Sequence, residues 1–290
     1  MLAYILAGFV LYMTFMLVRI VLVSIVALHY KEPITEHLTL KPVVVIAEVF
    51  FFSIIFACAL WLIKDFMASS GMQILIAIFF VALIPSYNYI ITPLKYLFSG
   101  SKYRKDEKLT QFLKNFKCPY NVRIIKGNVI NAYATGVLPF SKTILVGENL
   151  VNNMPEEEVQ SILLHEVGHL KGNHLFKLYF LNVVLATFSF LFFFTQQKAI
   201  LFEQMGIPEP VVVIISGVIV GLLFWYFPGK IQYYFEYQAD LYAAKRNGVK
   251  RMINALHTLD RLSNGEVSKG GITHPTLTKR IHSIKRQNEK

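Results

Sequence analysis

The residues whose types and spacing could do chemistry together are His165-Glu166-Val167-Gly168-His169. Imidazoles four positions apart share one face of a helix, so both can offer a ring nitrogen to a single zinc ion. Glu166 directly follows the first of them, beside the coordination position that would stay open, where it can take a proton from water. In a chain with eight histidines, such a pattern arises by chance on the order of once in a hundred sequences of this kind. Two exposed histidines on a surface helix are the ordinary alternative. Val159, Ile162 and Leu163 lead into the motif at helical spacing and take the helix into packed surroundings, which speaks against it.

A hydrolytic zinc needs a third protein ligand and one position left for water. In the metzincin pattern a glycine follows, and then a histidine ten residues after the first. Gly172 is in place, but Leu175 stands at the ligand position. His174 is one residue short, a rotation of about 100° around the helix. The alternative is a carboxylate from a second helix. In Glu236-Tyr237-Gln238-Ala239-Asp240 the two acids stand one turn apart on one face. Glu236 is expected to complete the set for one zinc per chain, with Asp240 orienting a ligand histidine from behind. A solvated helix carrying two acids is the competing reading.

These residues must be positioned by a chain with unusual composition. Of 290 residues, 54% are hydrophobic, 14% aromatic and only 16% charged, with a mean hydropathy of +0.48. That excludes a disordered chain, a secreted disulfide scaffold and a freely soluble enzyme. The net charge of +11 flanks apolar runs, which points to a membrane surface and not to nucleic acid. Cys58 and Cys118 lie in unlike settings and offer neither a structural disulfide nor a thiol metal site. Five stretches reach or approach the roughly 20 apolar residues that a spanning helix needs. They are Leu2–Leu28, Val43–Ile63, Ile74–Ile91, Leu175–Phe194 and Val211–Phe227. The first, interrupted by Arg19 and lacking a basic leader, reads as a signal anchor. Basic residues crowd the segments after the third and fifth stretches, so both are expected to face the cytoplasm, with the N-terminus outside. This topology places Glu203 and Glu209 across the membrane from the histidines. Arg19 and Glu48 fall at similar depth on consecutive spans, as a buried pair or as two side chains reaching the interface.

The expected organisation is therefore residues 1–92 as three transmembrane helices and 93–174 as a cytoplasmic catalytic part. Residues 175–228 follow as a two-helix transmembrane hairpin, and 229–290 as a cytoplasmic helical part with the third ligand. Within the second block, Val122–Ile125, Val129–Thr135 and Thr143–Val146 are β-prone runs separated by Gly127 and Gly136–Pro139. Pro155 and the acids 156–158 mark the start of the helix that carries the histidines.

Taken together, His165-Glu-Val-Gly-His169, Asn173-His174, Glu236-x-x-Ala-Asp240, Asn131-Ala-Tyr-Ala-Thr-Gly136 and the tail His274-Pro-Thr-Leu-Thr-Lys-Arg280-Ile281 resemble the M48 family of membrane metallopeptidases. That family includes the HtpX and the Ste24 CAAX prenyl proteases. The resemblance covers roughly residues 120 to 285. Together with the five apolar stretches it implies a mainly α integral membrane protein with about five transmembrane helices and a small α+β gluzincin-type zinc peptidase domain. It also implies that Asn131 binds substrate backbone, with a turn residue as the alternative, and that His274 stabilises the oxyanion, with Arg280 supporting it, contacting substrate or capping the tail. A chain much shorter than the eukaryotic prenyl proteases, with five spans instead of seven, favours a bacterial inner-membrane enzyme.

The expected activity is thus a zinc endopeptidase with Glu166 and His274 as catalytic groups, acting on membrane or membrane-proximal polypeptides in quality control. Its partners would be those polypeptides and the lipid bilayer, with no nucleic acid. Processing of lipidated C-terminal peptides and a non-catalytic zinc scaffold are the two rivals. A scaffold would have no use for a base at Glu166.

Overall fold

The computed structural model describes residues 82, 85–94, 103–194, 206, 209–271 and 273–288. The chain divides into two compact units, Met1–Leu83 and Ile84–Lys290. The first two expected spans, most of the third, the Arg19–Glu48 pair and Cys58 lie outside the described residues. The second unit is mainly helical around one small sheet, and it contains every element of the candidate site.

A π-helical turn, Tyr87–Ile91, opens the described part. Strand β1, Tyr103–Lys105, leads into helix α1, Glu107–Asn115, whose first turn is capped by Asp106 Oδ1 accepting from the Leu109 amide at 2.9 Å. Three further strands follow: β2 at Asn121–Ile125, β3 at Ala132–Thr135 and β4 at Thr143–Gly147. They match the β-prone runs to within a few residues at each end. The sheet order is β1-β2-β4-β3, with β2 and β4 parallel and the two outer pairings antiparallel. β4 is therefore central and buried along its whole length, whereas β3 is an edge strand.

After the short helix α2, Glu148–Asn153, Pro155 and three acids open helix α3, Glu156–Lys171. Negative side chains at this end complement the helix dipole. From Val159 onward almost every residue of α3 is buried, because the sheet covers one side and two other helices cover the rest. The apolar stripe read from the sequence is only part of what this central helix buries. Its end is closed by Lys142 Nζ, which donates to the Leu170 carbonyl at 3.1 Å and to Asn173 Oδ1 at 2.7 Å.

Helix α4, His174–Phe194, and helix α5, Glu209–Asn247, follow. The remainder is α6 at Val249–Leu262, α7 at Glu266–Lys269 and α8 at Leu277–Asn288. α5 runs unbroken through Pro228 for 39 residues, so the boundary expected at 228/229 falls inside one helix. Among the described residues no helix is long and apolar enough to cross a membrane. The side chains of 189–194 and of most positions from 209 to 225 lie outside those residues. The core joins Leu113, Val122, Ile144, Val146, Leu163, Val167, Met252, Leu256 and Ile284 from the sheet, α1, α3, α6 and α8.

Candidate metal centre

The site exists because α3 and α5 touch backbone to backbone. A Cβ on Gly168 would lie 2.8 Å from the Cα of Ala239, which is itself fully buried. Glu236 and Asp240, on either side of Ala239 in sequence, are thereby brought against His165 and His169. At the far end of the same contact, Asn247 Nδ2 donates to Ser161 Oγ at 2.8 Å and to the Glu157 carbonyl at 3.0 Å. The register of the two helices is fixed from both ends.

His165 Nε2 and His169 Nε2 lie 3.2 Å apart. Glu236 Oε1 is 3.3 Å from His169 Nε2, and Glu236 Oε2 is 3.6 Å from His165 Nε2. One ligand atom from each of the three residues falls within 4.8 Å of the other two. The outward ring nitrogens are already engaged. His165 Nδ1 donates to Asp240 Oδ1 at 2.8 Å, and His169 Nδ1 meets His174 Nδ1 at 3.1 Å. Both Nε2 lone pairs can therefore converge with a carboxylate, and Glu236 Oε2 is buried without a hydrogen bond of good geometry. Two imidazoles and a carboxylate with their free electron pairs turned together form the donor set of a tetrahedral zinc site with its fourth position open. The residues fit the ion.

Electrostatics follow from the burial of several charges in one place. Arg280 is buried in α8 and clamps Asp240 through Nε at 2.8 Å and a terminal nitrogen at 2.5 Å. Burial alone would raise the Asp240 carboxyl, but the Arg280 charge outweighs it and holds the group below its ordinary range. Glu236 is likewise held well below the usual carboxylate range. Burial opposes this, and Arg280 at 3.5 Å, His169 and His274 outweigh it. Burial would lower the His169 imidazole, but Glu236 beside it raises it on balance.

The candidate base is held by the sheet. Glu166 Oε2 accepts from the Ala134 amide of β3 at 2.6 Å and is buried. Asn131 directly precedes β3 and is exposed, and its Oδ1 accepts from the Ala132 amide at 2.9 Å. The Asn131 carbonyl receives the Gly147 amide at 2.8 Å, so alternation turns Ala132 and Ala134 toward the open edge. Both outward amides of that edge are thus already taken by side chains.

His274 is 61% exposed, yet its Nδ1 lies 3.2 Å from Glu236 Oε2, at the rim of the cluster. Of the roles expected for Arg280, direct contact with substrate does not fit, because the side chain is buried behind the histidine–carboxylate layer in a clamp on Asp240. His174 does not join the metal-facing group, because the helix ends at Lys171 and the chain turns through Asn173 before reaching it. Its Nε2 contacts Gln238 Oε1 at 3.0 Å, and burial, then the charge of His169, push its imidazole down to about 4. Neither Gln238 nor a supporting role for His174 was apparent from sequence spacing.

Against known proteins, the sequence model of Peptidase family M48 matches residues 104–288. Protease HtpX of Pasteurella multocida is 27% identical over 185 residues, covering 57% of this chain and 65% of that protein. Protease HtpX of Haemophilus influenzae (strain PittEE) is 26% identical over 187 residues, covering 57% and 66%. The chain thus spans just under two thirds of these relatives' length. In fold it is similar to the crystal structure of S. mikatae Ste24p, with a TM-score of 0.56 at 20% identity, over 79% of this chain and 62% of that one. The family match takes in the histidine pair, both acids of α5 and the tail that carries His274 and Arg280, and the chain belongs to peptidase family M48.

Proposed function

We propose that the chain is a zinc-dependent endopeptidase that cleaves membrane or membrane-proximal polypeptides. One observation carries the reading: His165, His169 and Glu236 converge while Glu166, one residue along the same helix, is pinned to an open sheet edge. When bound, zinc would polarise the scissile carbonyl and make water acidic enough to react near neutral pH. Glu166 takes the proton of the attacking water and returns it to the leaving amine. The β3 edge holds the substrate in extended form, pairing through the outward carbonyls of Ala132 and Ala134 and exchanging with Asn131 for an amide. His274, on the exposed rim, donates to the developing oxyanion, a type of contact worth roughly 3 kcal/mol elsewhere. Arg280 keeps Asp240 ionised, and Asp240 holds His165.

The composition, the two apolar stretches in α4 and α5, and the kinship with bacterial HtpX proteins support a bacterial inner-membrane location with the site on the cytoplasmic side. They also support a role in protein quality control. The decisive experiment uses the full chain purified in detergent with a panel of unfolded membrane proteins and lipidated C-terminal peptides. Chelation should abolish cleavage and zinc should restore it. Glu166→Gln should retain the metal and lose activity, and full activity in that variant would remove the mechanism. Preference for the lipidated peptides would replace quality control with processing.

A further inference from the structure

His174 is a 2% exposed imidazole that stands behind His169 and offers no atom to the donor pocket, and several features of the fold are spent on holding it. The turn that delivers it passes through Asn173 at a φ of 51°, and Lys142 anchors that residue's side chain. Gly172 leaves room for the ring, since a Cβ there would lie 2.2 Å from His174 Nε2. The ring stacks on Phe235 with centroids 4.1 Å apart and planes 3° from parallel. Its two nitrogens face Gln238 Oε1 at 3.0 Å and His169 Nδ1 at 3.1 Å.

We propose that Gln238 and His174 form a neutral hydrogen-bond relay that locks His169 in the tautomer able to bind zinc, which makes both of them positioning residues. The relay rests on the zinc reading of the site. Proton placement along the chain follows from one acceptor. Gln238 Oε1 can only accept, so His174 Nε2 carries the hydrogen and His174 Nδ1 carries a lone pair. The proton between the two Nδ1 atoms then belongs to His169, so that in its neutral, zinc-binding form the Nε2 lone pair is turned toward Glu236 and His165. With the Gln238 amide reversed, every proton would shift one place along. His169 Nε2 would then bear hydrogen aimed at His165 Nε2, and no cation could be held. Only one polarity is compatible with a ligand at position 169.

The two ligand histidines are therefore oriented in chemically different ways. His165 is held by a carboxylate that needs its own buried arginine. His169 is held by an uncharged pair, so the site gains orientation there without a further buried charge to neutralise.

The test is zinc affinity of the full chain in detergent, measured by competition with a chromophoric chelator, alongside the visible spectrum of the cobalt-substituted protein. Thermal unfolding of the metal-free form serves as the control. His174→Phe keeps the volume and the stacking but has no ring nitrogen, and it should weaken zinc binding by about 10- to 100-fold and alter the cobalt spectrum. Gly172→Ala leaves a helical φ of −71° undisturbed but displaces the ring, and it should fall in the same range. Gln238→Met should lose less, about threefold, because water can reach that exposed position and accept in its place. Cooperative unfolding together with zinc affinity within about twofold of wild type, in either His174→Phe or Gly172→Ala, would overturn the relay. Should His174→Phe fail to fold, Gly172→Ala decides the matter. If the unmodified chain itself bound no zinc, the ligand reading would fall first and the relay with it.

Discussion

Gly168→Ala is the smallest perturbation that separates the metal centre from the rest of the fold. The added Cβ would stand 2.8 Å from the Ala239 Cα and 3.2 Å from its Cβ. Ordinary contact would require α3 and α5 to part by about 0.6 to 1.2 Å, and neither partner is a flexible side chain that could yield. Overpacking of this kind costs about 1–3 kcal/mol, while alanine gains about 1 kcal/mol over glycine in helix propensity. Net destabilisation is thus about 0–2 kcal/mol, a fall in Tm of no more than about 8 °C for a unit of this size. The metal centre is far less tolerant. Glu236 moves with Ala239, and ligand distances must hold to about 0.2 Å. A displacement near 1 Å should weaken zinc binding at least about tenfold and cut peptide cleavage about a hundredfold. Zinc titration, cleavage assay and thermal unfolding on the same preparation give all three values. Zinc affinity within about twofold of wild type, with cleavage intact, would show that the α3–α5 approach does not set the ligand geometry.

Asp240→Asn should cost about 3–5 kcal/mol in chemical unfolding, because Arg280 would be left buried without its full counter-charge. Combining it with Arg280→Met should recover a large part of that loss, and no recovery would dissociate the pair. Asn247→Ala removes donors to Ser161 Oγ and the Glu157 carbonyl and should cost about 1–3 kcal/mol. Its effect on zinc affinity should be much smaller than that of Gly168→Ala, since it acts at the far end of the helix pair. The depressed carboxyls of Glu236 and Asp240 stabilise the fold fully above their unfolded values of about 4 and lose that contribution as pH falls through their folded values. Unfolding of the metal-free chain should therefore show stability falling below about pH 4, and a flat profile there would contradict the Arg280 clamp.

The histidine pair and Glu236 could be read from the sequence because each rests on helical spacing within one element, and because the order of apolar and basic segments implies that a second helix returns to the same side. Strands β2, β3 and β4 were legible from β-prone runs between glycines. β1, three residues long, and α2 offered too little periodicity to stand out. The expected boundary between the membrane hairpin and the cytoplasmic part at 228/229 lies within the single helix α5, which continues through Pro228. The burial of Arg280 has a long-range cause. Nothing within α8 signals it, and it is Asp240, 40 residues earlier on another helix, that turns the side chain inward. Gln238 and His174 meet through the same kind of long-range contact, which no spacing rule within a single helix encodes.

The buried charges of the centre do not balance among the described residues. Glu166, Glu236 and Asp240 are each less than 10% exposed, and only Arg280 opposes them within the same buried layer. Three carboxylates against one guanidinium leave a deficit of two positive charges, and an uncompensated charge in such surroundings is costly. One divalent cation closes the deficit. In the metal-free protein a proton on His169 supplies part of it, in keeping with the upward displacement of that imidazole by Glu236. Its contribution to stability is fully present below the unfolded value of about 6.5 and is lost as pH rises through the folded one. Zinc must displace this proton to reach the Nε2 lone pair. Titration calorimetry near pH 6, in buffers of differing ionisation enthalpy, should therefore record proton release as zinc binds, with affinity rising as pH increases. Glu236→Gln should lower the number released, because the carboxylate that holds the proton on His169 is gone. Proton release of zero in the unmodified chain would mean that His169 is already neutral and that the charge balance is met in another way.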